Sequence, residues 1–352
     1  MKLNHLWLEV KNKATKLGFS DIQVTDCDLS RYITHYNNWI KNNYHGSMNY
    51  MTTHGEKRYE PEKLIPDTQR VIIVAVPYLT KQYEFKNIKK ELDEVTDKAI
   101  ISRYAWGRDY HKVIRKKLNQ LAQFITEIYS SHQYRAFTDS APVLEKPLAE
   151  KAGLGIIGKH SNLLNKQGSW FFIGEIYSNI PFKINKKIES EDLCGKCRAC
   201  INICPTNAII KDKVVDARKC ISYLTIENKD EIPLEFRKQI GSRIYGCDDC
   251  QLICPWNRYA KLTTIDDFKT RHSLDNLTLL ELFNWNEQTF LKNTEGSAIR
   301  RIGYLQWIRN LAIGLGNAPK NNEILDALYK KRNEVKNEMV LEHINWAITE
   351  QL

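Results

Sequence analysis

The chain has 352 residues, of which 42% are hydrophobic and 27% charged, a balance that allows a sizeable core and excludes wholesale disorder. Lysine and arginine exceed aspartate and glutamate by 52 to 42, and the resulting formal charge of +10 suits a polyanionic partner such as nucleic acid. The longest apolar run, residues 71–76, is far shorter than the roughly 18 residues of a membrane span. Charged residues follow the N-terminus too soon for a signal-peptide core, so we expect a cytoplasmic protein with no membrane partner.

The first region, residues 1–187, is predicted to be a mixed α/β domain. Its helices show apolar residues at intervals of three and four, and its strands are short apolar or aromatic runs. In chain order we predict a helix at residues 5–18, a strand at 70–77, an amphipathic helix at 110–129, a helix end with a glycine-rich turn at 148–158, and a strand at 170–177. Pro181 and the lysines at 183, 186 and 187 then predict a linker.

The rest of the chain divides into a cysteine-rich segment, residues 188–275, and a helical tail, residues 276–352. Eight of the nine cysteines lie between Cys194 and Cys254, which predicts a separate domain built around them. Helical periodicity covers residues 298–317, 321–332 and 334–350. Paired helices of this size are typical of α-solenoid units, or equally of a helical cap on the core. The predicted fold class is α+β.

The cysteine-rich segment begins with the spacing C-x2-C-x2-C-x3-C-P, formed by Cys194, Cys197, Cys200, Cys204 and Pro205. Bacterial two-cluster ferredoxins have this spacing, and the fourth cysteine of the run binds the other [4Fe–4S] cluster. The last part of the run is repeated, with its first cysteine displaced upstream, by Cys220, Cys247, Cys250 and Cys254. The crossed rule therefore assigns one cluster to Cys194, Cys197, Cys200 and Cys254, and the other to Cys204, Cys220, Cys247 and Cys250.

Zinc is the alternative metal for these cysteines, because paired C-x2-C motifs also form four-cysteine zinc sites. A run closed by Cys-Pro and then partly repeated favours two iron–sulfur clusters. In a reducing cytosol, disulfides are not expected. Cys27 has no partner motif, and we predict that it is a small buried apolar side chain.

Six further motifs follow one another along nearly the whole chain. They are Tyr44-His-Gly-Ser-Met-Asn-Tyr50, Arg103-Tyr-Ala-Trp-Gly-Arg-Asp-Tyr-His111, Asp139-Ser-Ala-Pro-Val-Leu-Glu145, Glu150-Lys-Ala-Gly-Leu-Gly-Ile-Ile-Gly-Lys-His160, Tyr245-Gly-Cys-Asp-Asp-Cys250 and Gly296-Ser-Ala-Ile-Arg-Arg-Ile-Gly303. Together with the cysteine runs they resemble the epoxyqueuosine reductase family. The resemblance implies an oxidoreductase that reduces the epoxide of epoxyqueuosine, at the wobble position of tRNA, to queuosine. It also implies a cobalamin between the first region and a ferredoxin-like domain with two [4Fe–4S] clusters, and a HEAT-like tail.

The resemblance assigns roles to single residues as well. Asp139 is by itself either a turn residue or a group placed for proton transfer, and it falls on the family's proton donor. The family's cobalamin contacts fall on Arg58, Ser102, Asp139, Leu163, Ile173, Ser222, Asp248 and Asp249. Because no nicotinamide-binding motif is visible, the expected electron donor is a small ferredoxin or flavodoxin.

Three arginines of the tail, Arg300, Arg301 and Arg309, are predicted to contact the tRNA. Guanidinium groups bind phosphate and stack on unpaired bases, and helical spacing can bring the three towards one side. The alternative is a solvated helix face.

Three other functions remain open at this stage. They are a reductive dehalogenase-like corrinoid oxidoreductase, an iron–sulfur electron carrier without a substrate, and a nucleic-acid-binding scaffold with structural clusters.

Overall fold

The computed structural model describes residues 3–88, 92, 96–184 and 191–352. Of the predicted linker, Pro181 and Lys183 lie within this part of the chain, and the lysines at 186 and 187 lie outside it. No helix in the described ranges is both long and apolar enough to cross a membrane.

A four-stranded antiparallel sheet forms the centre of the first region among the described residues. Its strands, in spatial order, are β1 (Asp21–Thr25), β2 (Arg70–Pro77), β7 (Phe171–Ser178) and β4 (Tyr134–Phe137). Residues 71–76 of β2 are fully buried because both faces of the sheet are covered, which explains a continuous apolar run rather than an alternating one. The strands predicted at 70–77 and 170–177 are confirmed, the second displaced by one residue.

Helices cover both faces of this sheet. The described helices of the first region are α1 (Leu3–Lys16), α2 (Ser30–Lys41), α3 (Pro61–Leu64), α4 (Tyr110–Ile128) and α5 (Glu145–Lys151). On one face α1 and α4 share a core with Ile72 and Val74, and on the other α5 packs against Val71 and Ile73. This division follows from the alternation of side chains along β2. Three short strands also lie among the described residues of this region, β3 (Ile100–Ile101), β5 (Ile156–Ile157) and β6 (Leu163–Leu164).

The cysteine-rich segment consists of short elements around the cysteines. They are α6 (Ala199–Ile203), β8 (Ile209–Lys211), β9 (Val214–Val215), α7 (Ile221–Ile226), α8 (Leu234–Ile240), β10 (Arg243–Tyr245) and α9 (Asp249–Leu252). Strand β10 pairs in parallel with β3 of the first region, with Arg243 opposite Ile100. One apolar core contains Ile101, Ile244 and Trp307, which come from all three predicted domains. The domain boundaries after residues 187 and 275 stay a prediction.

The tail is helical, as predicted. Its elements are α10 (Leu279–Phe283), α11 (Glu287–Asn293), α12 (Gly303–Asn317), α13 (Asn322–Glu334) and α14 (Glu338–Gln351). The helix predicted at 298–317 is a 3-10 turn followed by α12, because Gly303 adopts a φ of 71° between them, a left-handed conformation that interrupts a helix. The helix predicted at 334–350 begins later, since the Asn337 side chain accepts a hydrogen bond from the Val340 N–H and caps α14. Helix α14 packs on both α12 and α13.

Candidate active site

Asp139 lies in the loop between β4 and α5, with a left-handed φ of 55°. The N-terminus of α4 meets this loop and places two side chains against the Asp139 carboxylate. His111 Nε2 lies 3.3 Å from Asp139 Oδ2, and the Tyr110 hydroxyl donates a hydrogen bond to the same oxygen. The other ring nitrogen of His111, Nδ1, lies 2.8 Å from Oδ1 of Asp109, the N-cap of α4. An Asp109–His111–Asp139 chain therefore runs across the surface of the site.

This chain keeps a proton on the imidazole. Burial opposes the charge on His111, but its contacts with Asp109 and Asp139 outweigh that effect and raise its pKa to about 9. Burial likewise opposes ionisation of Asp139, yet the hydrogen bonds from His111 and Tyr110 leave its pKa below the usual value. At neutral pH the carboxylate is ionised, and the mobile proton lies on its neighbour His111.

Two further carboxyl groups lie behind Asp139. Glu145 Oε2 accepts a hydrogen bond of 3.3 Å from the Asp139 N–H, and burial together with the charge of Asp139 raises the pKa of Glu145 to about 7. Glu175, in the centre of β7, is fully buried, and neither of its oxygens has a hydrogen-bond partner in the described part of the chain. Burial, with Glu145 second, raises the pKa of Glu175 well above its ordinary value, so this carboxyl is uncharged.

A cavity of about 440 Å³, here named cavity A, lies between β7 and the cysteine-rich segment. All the predicted cobalamin contacts except Arg58 line it: Ser102, Asp139, Leu163, Ile173, Ser222, Asp248 and Asp249. Ser102 Oγ donates a hydrogen bond of 2.5 Å to Asp248, and Asp249 is held by Arg243 in a buried ion pair of 2.6 Å. The wall combines apolar side chains with a few fixed polar groups, as cofactor sites do.

One buried polar atom in the wall of cavity A tests whether these residues suit cobalamin. His160 is 5% exposed, and burial lowers its pKa to about 4, so the ring is neutral. Its Nδ1 accepts a hydrogen bond from the Asn162 N–H, which puts the ring proton on Nε2, and this donor has no partner among the described residues. Cobalamin carries amide side chains around its ring, whose oxygens accept such a hydrogen bond. The residues fit the cofactor.

The cysteines of the segment form two neighbourhoods. The first neighbourhood consists of Cys194, Cys197, Cys200 and Cys254, where burial and then the nearby Cys194 raise the pKa of both Cys200 and Cys254 to about 11. In the second, the cysteines line cavity A: Cys204, Cys220, Cys247 and Cys250. No three potential ligands of the described residues lie close enough to share one metal ion, and a cubane does not need this because its four cysteines bind four different irons. Cys27 is 6% exposed, as predicted for a buried apolar residue.

A second cavity, of about 870 Å³ and here named cavity B, adjoins cavity A. The two share three lining residues, Asp139, Glu145 and Lys146. Cavity B is also lined by His111 and by arginines predicted for other contacts, Arg58, Arg300 and Arg301. Arg58 is buried, with its guanidinium bound to the carbonyls of Tyr50 and Thr53. Arg301 is 46% exposed and pairs with Glu227 at 2.8 Å.

The predicted tRNA contact of Arg309 is wrong. Its side chain is fully buried, and the guanidinium donates to the carbonyls of Leu224, Asn228 and Asp230. Burial lowers its pKa to about 10. Arg309 fixes the loop after α7 onto α12, whereas Arg300 and Arg301 lie in the 3-10 turn before the helix and face cavity B.

Known proteins are similar to this chain in sequence, and two family models match parts of it. A family model described as "Epoxyqueuosine reductase QueG, DUF1730" matches residues 58–140, and one described as "4Fe-4S double cluster binding domain" matches residues 193–257. The epoxyqueuosine reductase of Francisella cf. novicida (strain Fx1) is 56% identical over 349 residues, which cover 98% of this chain and 96% of the relative. That of Escherichia coli (strain K12) is 49% identical over 353 residues, 100% of this chain and 91% of the relative. The chain belongs to the epoxyqueuosine reductase family.

Solved structures of epoxyqueuosine reductases have the same fold. The enzyme from Streptococcus thermophilus superposes with a TM-score of 0.86 at 26% identity, covering 98% of this chain and 90% of that one. An epoxyqueuosine reductase crystallised with a "tRNA-TYR epoxyqueuosine-modified tRNA stem loop" gives a TM-score of 0.80 at 24% identity over 99% of this chain and all of that one. Membership of this family argues against the three alternatives of a dehalogenase-like oxidoreductase, an electron carrier and a nucleic-acid-binding scaffold. The match to the double-cluster domain supports iron–sulfur clusters over zinc.

Sequence reasoning assigned no role to six residues of this site. They are Asp109, Tyr110, His111, Glu145, His160 and Glu175. All but Glu175 lie in motifs quoted for the family resemblance, so the sequence indicated their part of the chain but not their contacts. Glu175 could have been found as a lone charged residue within an otherwise apolar strand, because a buried carboxyl there must lose its charge or find a partner.

Proposed function

We propose that this chain reduces the epoxide of epoxyqueuosine in tRNA to the alkene of queuosine, with release of water, at the junction of cavities A and B. The reaction takes up two electrons and two protons. The observation that carries the proposal is the position of Asp139, which lines both cavities. One cavity is lined by four cysteines and the other by arginines, so electrons and RNA approach the same carboxylate from two sides.

Electrons would enter through the cysteine-rich segment. The first neighbourhood of cysteines would hold one [4Fe–4S] cluster and the cysteines of cavity A the other, as the crossed rule predicts. Cobalamin would be held by the predicted contacts in cavity A, with the free N–H of His160 available to one of its amides. When bound, the cofactor supplies the low-potential electron chemistry that breaks the epoxide C–O bond.

The protons would come from the carboxylates and the imidazole around Asp139. The oxygen released from the epoxide carbon needs a proton as the C–O bond breaks. Asp139 would pass this proton on after taking it from His111, whose charged imidazole lies 3.3 Å from the accepting oxygen. Glu145, half-protonated near neutral pH, is the second source.

The anticodon loop would enter through cavity B. A wobble base must leave its stack to reach a buried site, and its backbone must then be held in place. Arg300 and Arg301 lie at this cavity with exposed guanidinium surface, and the charge of +10 favours approach of the RNA.

The test is conversion of epoxyqueuosine in tRNA. Anaerobic enzyme with chemically reduced clusters and added cobalamin should convert epoxyqueuosine to queuosine, measured by mass analysis of the tRNA nucleosides. Asp139→Asn should lose about 10²–10⁴-fold in rate while it retains iron and cobalamin, and Asp326→Asn on the exposed side of α13 serves as the matched control. Absence of queuosine with the wild-type enzyme would refute the proposed function, and a fully active Asp139→Asn variant would remove only the role of Asp139.

A further inference from the structure

The two groups of cysteines differ in their access to solvent. Those of the second neighbourhood are all half-buried, and they line cavity A. In the first, Cys200 and Cys254 are buried and Cys194 is half-buried, whereas Cys197 is exposed. The side of the first cluster that Cys197 binds would therefore lie at the surface. An electron carrier that is itself a protein can approach the clusters most closely here.

Two stretches of chain meet at this surface. Trp256 Nε1 donates a hydrogen bond of 2.7 Å to the Leu193 carbonyl, just before the first cysteine. The Trp256 ring lies 6.3 Å from the ring of Tyr259. Tyr259 is 55% exposed and Leu262 43% exposed. Tyr259 is thus presented to solvent beside the stretch that carries the first cysteines, and Leu262 follows it three residues along the chain.

Basic side chains lie in the same two stretches of chain as these apolar ones. Four exposed cations, Lys196, Arg198, Arg258 and Lys261, form no ion pair with any other described residue. Two nearby carboxylates pair with other cations, Glu191 with Lys166 at 2.9 Å and Asp212 with Lys159 at 3.4 Å. A third, Asp192, accepts a hydrogen bond from the Cys194 N–H at 3.1 Å. The Arg258 guanidinium lies over the Tyr259 ring at 4.9 Å, which holds its charge at the apolar centre. The four cations together with Tyr259 and Leu262 are named the basic patch.

We propose that the basic patch is the docking surface for a small acidic one-electron carrier protein that reduces the first cluster. The inference rests on the proposed function, because an epoxide reduction consumes two electrons and so requires two successive encounters, each of which oxidises one reduced carrier. Such encounters use small interfaces with complementary charge, which raises the association rate without tight binding. Exposed apolar side chains next to cations that form no ion pair suit an acidic partner.

The tRNA is the competing occupant, since its phosphates would also be attracted to cations. Its predicted contacts, Arg300 and Arg301, line cavity B, whereas the basic patch adjoins cysteines that do not line either cavity. The phosphate backbone does not need exposed apolar side chains, but a protein interface does.

The test variant is Arg258→Glu with Lys261→Glu. Its control is Lys330→Glu with Arg332→Glu on α13, because Arg332 is likewise an exposed, unpaired arginine over a tyrosine, 4.8 Å from the Tyr329 ring. The carrier is a purified acidic flavodoxin at low salt. We expect the patch variant to bind it more weakly and to lower kcat/KM for reduced flavodoxin by on the order of tenfold or more, with the control unchanged. Iron content, tRNA affinity and turnover with dithionite should match the wild type.

Equal flavodoxin binding by the patch variant and its control would overturn the proposal. A patch variant that loses tRNA affinity but keeps flavodoxin kinetics would assign the surface to RNA instead, which also overturns it. The milder variant, Arg258→Gln with Lys261→Gln, should show a smaller loss of flavodoxin binding. If the charge-reversal variant has a lowered iron content, the milder variant is used to test the docking surface instead. Flavodoxin binding is measured without tRNA. A failure of wild-type turnover with dithionite therefore counts against the proposed function and not against the docking surface.

Discussion

Replacement of His111 by glutamine should move the alkaline limit of turnover to lower pH. The imidazole is 22% exposed, and its contacts with two carboxylates raise its pKa from 6.5 to about 9. This rise corresponds to about 3 kcal/mol of additional proton binding. Glutamine keeps a hydrogen-bond donor near Asp139 but holds no transferable proton. The next proton source is Glu145, with a pKa of about 7.

The size of the effect follows from the protonated fractions. At pH 8.5 a group of pKa about 9 is roughly three-quarters protonated, and one of pKa about 7 is roughly 3% protonated, so turnover should fall on the order of twentyfold if chemistry is limiting. Near pH 6 both groups hold a proton, and the difference should be small. Single-turnover conversion of epoxyqueuosine, measured between pH 6 and 10 with pre-reduced enzyme, gives the alkaline limits of the wild type and of the variant.

The matched control is His132→Gln. His132 is buried away from the site, and burial lowers its pKa to about 4, so it stays neutral throughout this range. Stability provides a second readout. Because the folded pKa of His111 is the higher one, its contribution is present below pH 6.5 and is lost as the pH rises through about 9. The His111→Gln variant should therefore be less stable than the wild type at pH 6, whereas at pH 10 the two proteins should have nearly the same stability. If the alkaline limit of turnover stays near pH 9 in the His111→Gln variant, His111 does not supply the proton to Asp139.

Three further predictions use other parts of the chain. Arg300→Glu with Arg301→Glu should weaken tRNA binding and reduce the slope of log affinity against log salt by about one to two, with iron and cobalamin content unchanged; unchanged tRNA affinity would remove both residues from the interface. Cys220→Ser should lower the iron content from about eight to about four atoms per chain, whereas Cys27→Ser should keep all of it, and equal iron in both variants would contradict the ligand assignment. Arg309→Met should lower the free energy of unfolding by about 3 kcal/mol or more, since it leaves buried carbonyls without donors, and a normal thermal midpoint would show that those carbonyls find other partners.

The sequence predicted features that depend on local spacing better than those that depend on how elements meet. The strand at 70–77 follows from an apolar run long enough to be covered on both faces, and the structure has it at the same residues. The cysteine spacing reflects the shape of a cluster rather than the rest of the fold, and the double-cluster model covers that segment. Asp139 was singled out because a family resemblance, not its spacing, gave it a role.

The sequence-based predictions failed where the outcome depended on tertiary contacts. Helical spacing alone placed Arg309 on a face of α12 but could not show that the loop after α7 covers that face. In the same way, no local pattern shows that the start of α4 meets the end of β4, so the contact between His111 and Asp139 was not foreseen. Two residues 28 positions apart can share a proton because β4 packs back along α4, so that the start of the helix meets the end of the strand.

The parallel pairing of β3 with β10 makes the halves of the enzyme inseparable. A chain cut after residue 187 would leave Ile100 and Ile101 as an unpaired strand edge, beside a core deprived of Ile244 and Trp307, and such edges promote aggregation. The cysteine-rich segment alone would lose the same strand partner. Neither half can therefore be transplanted as an independent domain. The two halves also cannot move apart to admit the cofactor without breaking this pairing.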